Sequence, residues 1–82
     1  MNIRVLGMNC PSCMRMKADV ESILAHRGWE AHMEYVSDTA EILRYGVMST
    51  PVLVVDDQVV MVGYRGAARI EAVLGIIAGK AD

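Results

Sequence analysis

Short runs of apolar residues along the chain predict four β-strands. Residues 2–6 predict a short buried strand, and residues 51–55 are continuously apolar, as in a strand covered on both faces. Residues 58–62 follow an Asp-Asp turn and predict the second arm of a hairpin. Residues 30–35 alternate and predict an edge strand, whose apolar side carries Ala31, Met33 and Tyr35.

Helical spacing of apolar residues appears in three other segments. One helix starts at Pro11 and ends at Gly28. Proline suits the first turn because the backbone N–H that it lacks would have no partner within the helix there. A last amphipathic helix starts at Ala67 and closes at Gly79, and the tail 80–82 is predicted to fray.

The third helical segment, SDTAEILRYG, is short. Asp38 and Glu41 fit a capping box, and Gly46 fits a left-handed stop. The element order is then βαβαββα over a single α/β domain, residues 1–82, whose first βαβ unit should be a right-handed parallel crossover.

Composition narrows the possible partners. The net charge of −2, with Lys and Arg scattered singly, argues against nucleic acid or an anionic membrane as a partner. No apolar run approaches the roughly 18 residues of a membrane span, and the N-terminus does not resemble a secretory signal. We therefore expect a cytoplasmic protein, in which a close cysteine pair is more often catalytic or metal-binding than structural.

The heptapeptide GMNCPSC, residues 7–13, permits two kinds of chemistry. Gly-Met-x-Cys-x-x-Cys opens the metal loop of small copper-carrying domains, and Cys-Pro-x-Cys opens the first helix of dithiol oxidoreductases. Copper carriers of this type have the order βαββαβ, with a hairpin directly after the first helix. Here a capped helix follows the second strand instead, so the element order favours the dithiol.

The chain resembles the thioredoxin-like superfamily in its minimal form, close to small redox-active disulfide proteins. The stretches that carry the likeness are GMNCPSC, YGVMSTPVLVVDD, VGYRG and the helix at each end, which together span nearly the whole chain. The resemblance implies a minimal thioredoxin fold, with a four-stranded mixed sheet in the order 2-1-3-4 and helices on both faces.

The two cysteines should differ in accessibility. Cys10 falls at the first helical turn, where orphan N–H groups and the helix dipole favour a thiolate. Cys13 lies one turn further on the core-facing stripe. We expect Cys10 to attack a partner's disulfide and Cys13 to resolve the mixed disulfide.

The family likeness also suggests residues that dock a partner. It implies that Pro51 takes the cis form beside the cysteines and that Thr50 contacts an extended peptide. Gly63 matches the glycine of a Val-Gly pair that thioredoxins place near the peptide-docking groove beside the cysteines. Pro11 and Ser12, between the cysteines, complete the expected docking residues.

Two features depart from the family pattern. Thioredoxins carry a buried acid six residues before the first cysteine, and Arg4 stands there, which puts the electrostatics around Cys13 in doubt. Glutaredoxins carry a glutathione-binding Gly-Gly-x-Asp, which VGYRGAA replaces. Several methionines are expected near the dithiol, as adaptable apolar surface or core filler: Met8, Met14, Met48 and Met61.

The sequence therefore predicts a monomeric thiol–disulfide oxidoreductase that needs no cofactor. Its partners would be protein disulfide clients and an unidentified reductase, with glutathione as a further candidate. Three alternatives stay open: a Cu(I)-binding or metallochaperone module using Cys10 and Cys13, a glutathione-linked reductase needing only Cys10, and a non-catalytic interaction module. His26 and His32 are expected to face solvent rather than complete a metal site.

Overall fold

The computed structural model describes residues 1–80 and has the predicted order βαβαββα. The predicted fraying of residues 81 and 82 lies outside the described residues. The elements are β1 (Asn2–Leu6), α1 (Pro11–Arg27), β2 (His32–Val36), α2 (Thr39–Leu43), β3 (Val52–Val55), β4 (Gln58–Val62) and α3 (Ala67–Lys80).

The strands form one mixed sheet in the order β2-β1-β3-β4, as predicted. β1 and β2 are parallel, with Val5 opposite Tyr35, so the carboxyl ends of both strands lie at the same edge of the sheet. β3 is antiparallel to β1 and to β4. Asp56 and Asp57 both have positive φ, 49° and 67°, as a type I′ hairpin turn requires.

Alternation along the strands divides the core between the two faces of the sheet. The larger core lies between the sheet and helices α1 and α3, and includes Ile3, Val5, Met16, Val20, Ile23, Leu53, Val55, Met61, Ile70 and Leu74. The smaller core lies under α2 and consists of Leu6, Ile42, Val52 and Val54. Helices therefore cover both faces, and continuous burial of β3 explains its unbroken run of apolar residues.

Helix ends follow the predicted signals with two differences. Asp38 caps α2 by accepting from the N–H groups of Ala40 at 2.8 Å and Glu41 at 3.4 Å. The Glu41 carboxylate accepts from Arg44 at 2.9 Å, instead of completing the capping box. Gly46 is left-handed, with φ 73°, but it ends a turn that follows α2 rather than the helix itself.

Element bounds differ from the sequence prediction by one or two residues. β2 begins at His32 rather than at residue 30, and α3 extends one residue beyond Gly79. None of the helices within residues 1–80 combines the length and the apolar character that a membrane span needs.

Candidate active site

Cys10 occupies the N-cap position of α1 and is partly exposed. Its φ of −75° and ψ of 162° are extended, and its Sγ accepts from the Cys13 N–H at 3.1 Å. Ser12 Oγ lies 3.4 Å from the same sulfur. A thiolate at Cys10 would thus meet a backbone donor, a hydroxyl and the positive end of a 17-residue helix.

Cys13 is fully buried, one turn into the helix, and is bonded to Cys10 as a disulfide. The Cα atoms of the two cysteines are 5.0 Å apart. The α1 stripe continues into the larger core through Met16 and Val20. The pair is therefore asymmetric, as predicted, with Cys10 partly exposed and Cys13 inside the protein.

The missing side chain of Gly7 allows α1 to approach the sheet closely. A Cβ on Gly7 would lie 2.8 Å from Cys13 Cβ, 3.1 Å from Cys13 Sγ and 2.6 Å from the hydroxyl oxygen of Tyr35. That hydroxyl also accepts from the Asn9 N–H at 2.8 Å. Tyr35, on β2, thus reaches both the loop before Cys10 and the surroundings of Cys13.

The loop before β3 contains two of the predicted docking residues, Thr50 and Pro51. The Thr50–Pro51 peptide bond is cis, Pro51 is buried and Thr50 is half-buried. The Gly63 N–H donates to the Pro51 carbonyl at 2.7 Å. A Cβ on Gly63 would meet no atom within 4 Å, but its φ of 84° favours glycine, so the requirement is conformational rather than spatial.

An apolar groove lies beside α2, between the dithiol loop (residues 7–13) and the loop before β3 (residues 44–51), and Thr39, Ile42 and Leu43 line it from the helix. Met8 and Thr50 line it from these two loops, and Met48 lies at its rim with 95% of its surface exposed. Met14 is also exposed, whereas Met61 is buried in the larger core. The predicted methionine group is therefore divided between surface and core.

Arg4 does not contact the dithiol. Its neighbours in the strand, Ile3 and Val5, face the larger core. The Arg4 guanidinium donates to Tyr45 Oη and, at 2.8 Å, to Glu34, which is its partner across β1 and β2. The hydrogen bond to Tyr45 is the largest cause of a raised Arg4 pKa. These contacts place the positive charge of Arg4 on the α2 face of the sheet, away from Cys13.

Both histidines are exposed, as predicted. Among residues 1–80, no group of three or more His, Cys, Asp or Glu side chains converges in a way that could hold a metal ion. Cys10 and Cys13 are the only cysteines that the predicted metal-binding alternative could use.

The fold and the cysteine pair, one residue buried and the other partly exposed, define a thioredoxin-like protein and support a redox-active thiol protein. The sequence model of the thioredoxin domain matches residues 1–75 of the 82-residue chain, and the chain therefore belongs to that family. A search of curated proteins finds none that matches.

Tyr35 is the site residue that sequence analysis missed. The alternating pattern placed it among the apolar positions of an edge strand, and its ring does pack against the larger core. The predicted parallel crossover between β1 and β2 was the signal that could have identified Tyr35. It brings the carboxyl end of β2 next to the loop that follows β1, as the hydrogen bond from Gly7 N–H to the Val36 carbonyl at 2.9 Å shows.

Proposed function

We propose that this protein is a thiol–disulfide oxidoreductase in which Cys10 is the nucleophile and Cys13 the resolving thiol. The observation that carries the proposal is the asymmetric disulfide at the N-terminus of α1. Cys10 is partly exposed and its Sγ accepts two potential hydrogen bonds, from Cys13 N–H and Ser12 Oγ, whereas Cys13 is fully buried. Thiolate reactivity depends on this kind of stabilisation together with access.

The reaction has two exchange steps. The Cys10 thiolate attacks one sulfur of a partner disulfide, and the other partner sulfur leaves as a thiolate. Cys13 then loses its proton and attacks Cys10 Sγ, which forms the intramolecular disulfide and releases the second partner sulfur. Two electrons pass to the partner, and the cysteines need no organic cofactor to carry them.

The docking surface we propose is formed by the two loops that flank the groove. Thr50 and Pro51 would hold an extended segment of a client protein, and Pro11 and Ser12 would contact it beside Cys10. Support comes from the shared groove of Met8 and Thr50, and from the Gly63 N–H that supports the Pro51 carbonyl. A separate reductase, or glutathione, would return the disulfide to the dithiol.

Equilibration in dithiothreitol redox buffers tests the proposal. Free thiols are trapped with a maleimide, and the mass gives the fraction reduced. We expect a reversible two-thiol transition with a midpoint between about −300 and −120 mV. The Cys13→Ser variant is the matched control, because it keeps the nucleophile and cannot close the ring. If Cys10 and Cys13 never pair across that range, the oxidoreductase proposal fails and Cu(I) retention becomes the function to test.

A further inference from the structure

Resolution of a mixed disulfide requires a charge to form on a buried sulfur. Cys13 is fully buried, and no polar or charged side chain is buried within residues 1–79. A buried thiolate without a hydrogen-bond donor is strongly disfavoured, because burial penalises the charged form. The step therefore depends on whatever polar group lies beside Cys13 Sγ.

The Tyr35 hydroxyl is a polar group that faces the same space above Gly7 as Cys13 Sγ. An ideal Cβ on Gly7 would lie 2.6 Å from Tyr35 Oη and 3.1 Å from Cys13 Sγ, so the oxygen and the sulfur border the same small space above Gly7. The guanidinium of Arg4 belongs to the opposite face, where it binds Tyr45 and Glu34.

The hydroxyl is also held in place with its proton uncommitted. Its oxygen accepts from the Asn9 N–H at 2.8 Å, which fixes its position above Gly7. Within the described part of the chain, the Tyr35 hydroxyl donates to no protein acceptor. A phenol carries one donor, and here that donor is available to a sulfur.

We propose that the Tyr35 hydroxyl donates a hydrogen bond to Cys13 Sγ when that sulfur carries negative charge. The inference deepens the proposed function, on which it rests, by assigning Tyr35 to the resolving step alone. In that step the Cys13 thiol releases its proton to solvent, and the Tyr35 O–H stabilises the thiolate that attacks Cys10 Sγ. The tyrosine keeps its own proton throughout.

Reaction of the reduced protein with dithiobis(nitrobenzoate) separates the two steps. Cys10 attacks the reagent and releases one thionitrobenzoate. Cys13 then attacks the mixed disulfide on Cys10 and releases the second, so stopped-flow absorbance shows two phases. The Cys13→Ser variant identifies the first phase, because it should release one equivalent only.

Tyr35→Phe should slow the second phase about four- to fifteenfold at pH 7 and leave the first phase nearly unchanged, because the Asn9 N–H that loses its acceptor is exposed and can bind water. This range is the slowing expected when the Cys13 thiolate loses one hydrogen bond and its pKa rises. The slowing is smaller than the fall in thiolate population, because a thiolate of higher pKa is the stronger nucleophile. Tyr45→Phe is the matched control, since it removes a hydroxyl from the α2 face and should change neither phase.

A second-phase change smaller than threefold, or an equal fall in both phases, overturns the assignment. If Tyr35→Phe does not fold, a crystal structure of the reduced wild-type protein decides: Oη in hydrogen-bond contact with Cys13 Sγ supports the proposal, and Oη turned away from it overturns it. Failure of the proposed function looks different, because the wild-type protein itself would then release one equivalent and form no disulfide.

Discussion

Replacing Gly7 with alanine puts a methyl group between helix α1 and the sheet. The new Cβ would lie 2.8 Å from Cys13 Cβ and 2.6 Å from the Tyr35 hydroxyl oxygen, both below any normal contact. The tyrosine oxygen is the end of a side chain and can swing away. Cys13 Cβ is fixed to the backbone of α1, so the start of the helix must shift by several tenths of an ångström.

Two opposing effects set the size of the loss. Overpacking a close contact costs about 1–3 kcal/mol. Gly7 does not have a positive φ, so alanine also gains about 0.4–1 kcal/mol through the less flexible unfolded chain. We expect a net loss of about 1–2 kcal/mol, which lowers the urea midpoint of the oxidised protein by about 1 M for a chain of this size.

Gly75→Ala is the matched control for this experiment. Gly75 lies in the interior of α3, and its Cβ would be 3.6 Å from the Trp29 ring, an ordinary contact. Alanine there should raise stability by about 0.5–1 kcal/mol. The same glycine-to-alanine substitution should thus lower the free energy of unfolding at residue 7 and raise it at residue 75. A Gly7→Ala protein with a midpoint equal to or above that of the wild type would refute the close-approach argument.

Three further predictions concern single contacts. Asp38→Ala should lower the free energy of unfolding by about 1 kcal/mol in urea titrations because α2 loses its N-cap, and Asp38→Asn should lose little. Ser12→Ala should slow the first thionitrobenzoate phase about two- to tenfold and spare the second, because a donor to the Cys10 thiolate is lost. The hydrogen bond that Tyr64 donates to Asp19 raises the pKa of Tyr64 above 10.0. This hydrogen bond therefore stabilises the fold fully below pH 10.0, and its contribution is lost as pH rises through the raised pKa. Thermal unfolding of Tyr64→Phe should accordingly depend less on pH above that point, and equal slopes for the two proteins would count against the linkage.

The element order was predictable because it depends on patterns local to each segment, whereas the sheet order was predicted from the family resemblance. Continuous burial of β3 leaves an unbroken apolar run, and the paired aspartates of the hairpin turn are residues that tolerate positive φ. The two cysteines were predictable for the same reason, since one helical turn fixes which of them faces the core.

The surroundings of Cys13 were not predictable in this way. The sequence raised doubt about Arg4 from its distance to Cys10 along the chain, but the side chain belongs to the other face because side chains alternate along a strand. The contact between Tyr35 and the dithiol loop spans 26 residues and depends on the register of β1 against β2. A pattern within one segment contains no information on that register.

The exposed methionines make the rim of the groove chemically changeable. Oxidation turns a thioether into a sulfoxide, a polar group where a flexible apolar one stood, and exposed side chains are attacked first. Met48 is 95% exposed and Met8 52%, whereas Met16 and Met61 are buried. Peroxide would therefore oxidise Met8 and Met48 and make the groove polar, while the buried core methionines stay intact. The surface we propose for clients would lose its apolar character before the fold itself was damaged.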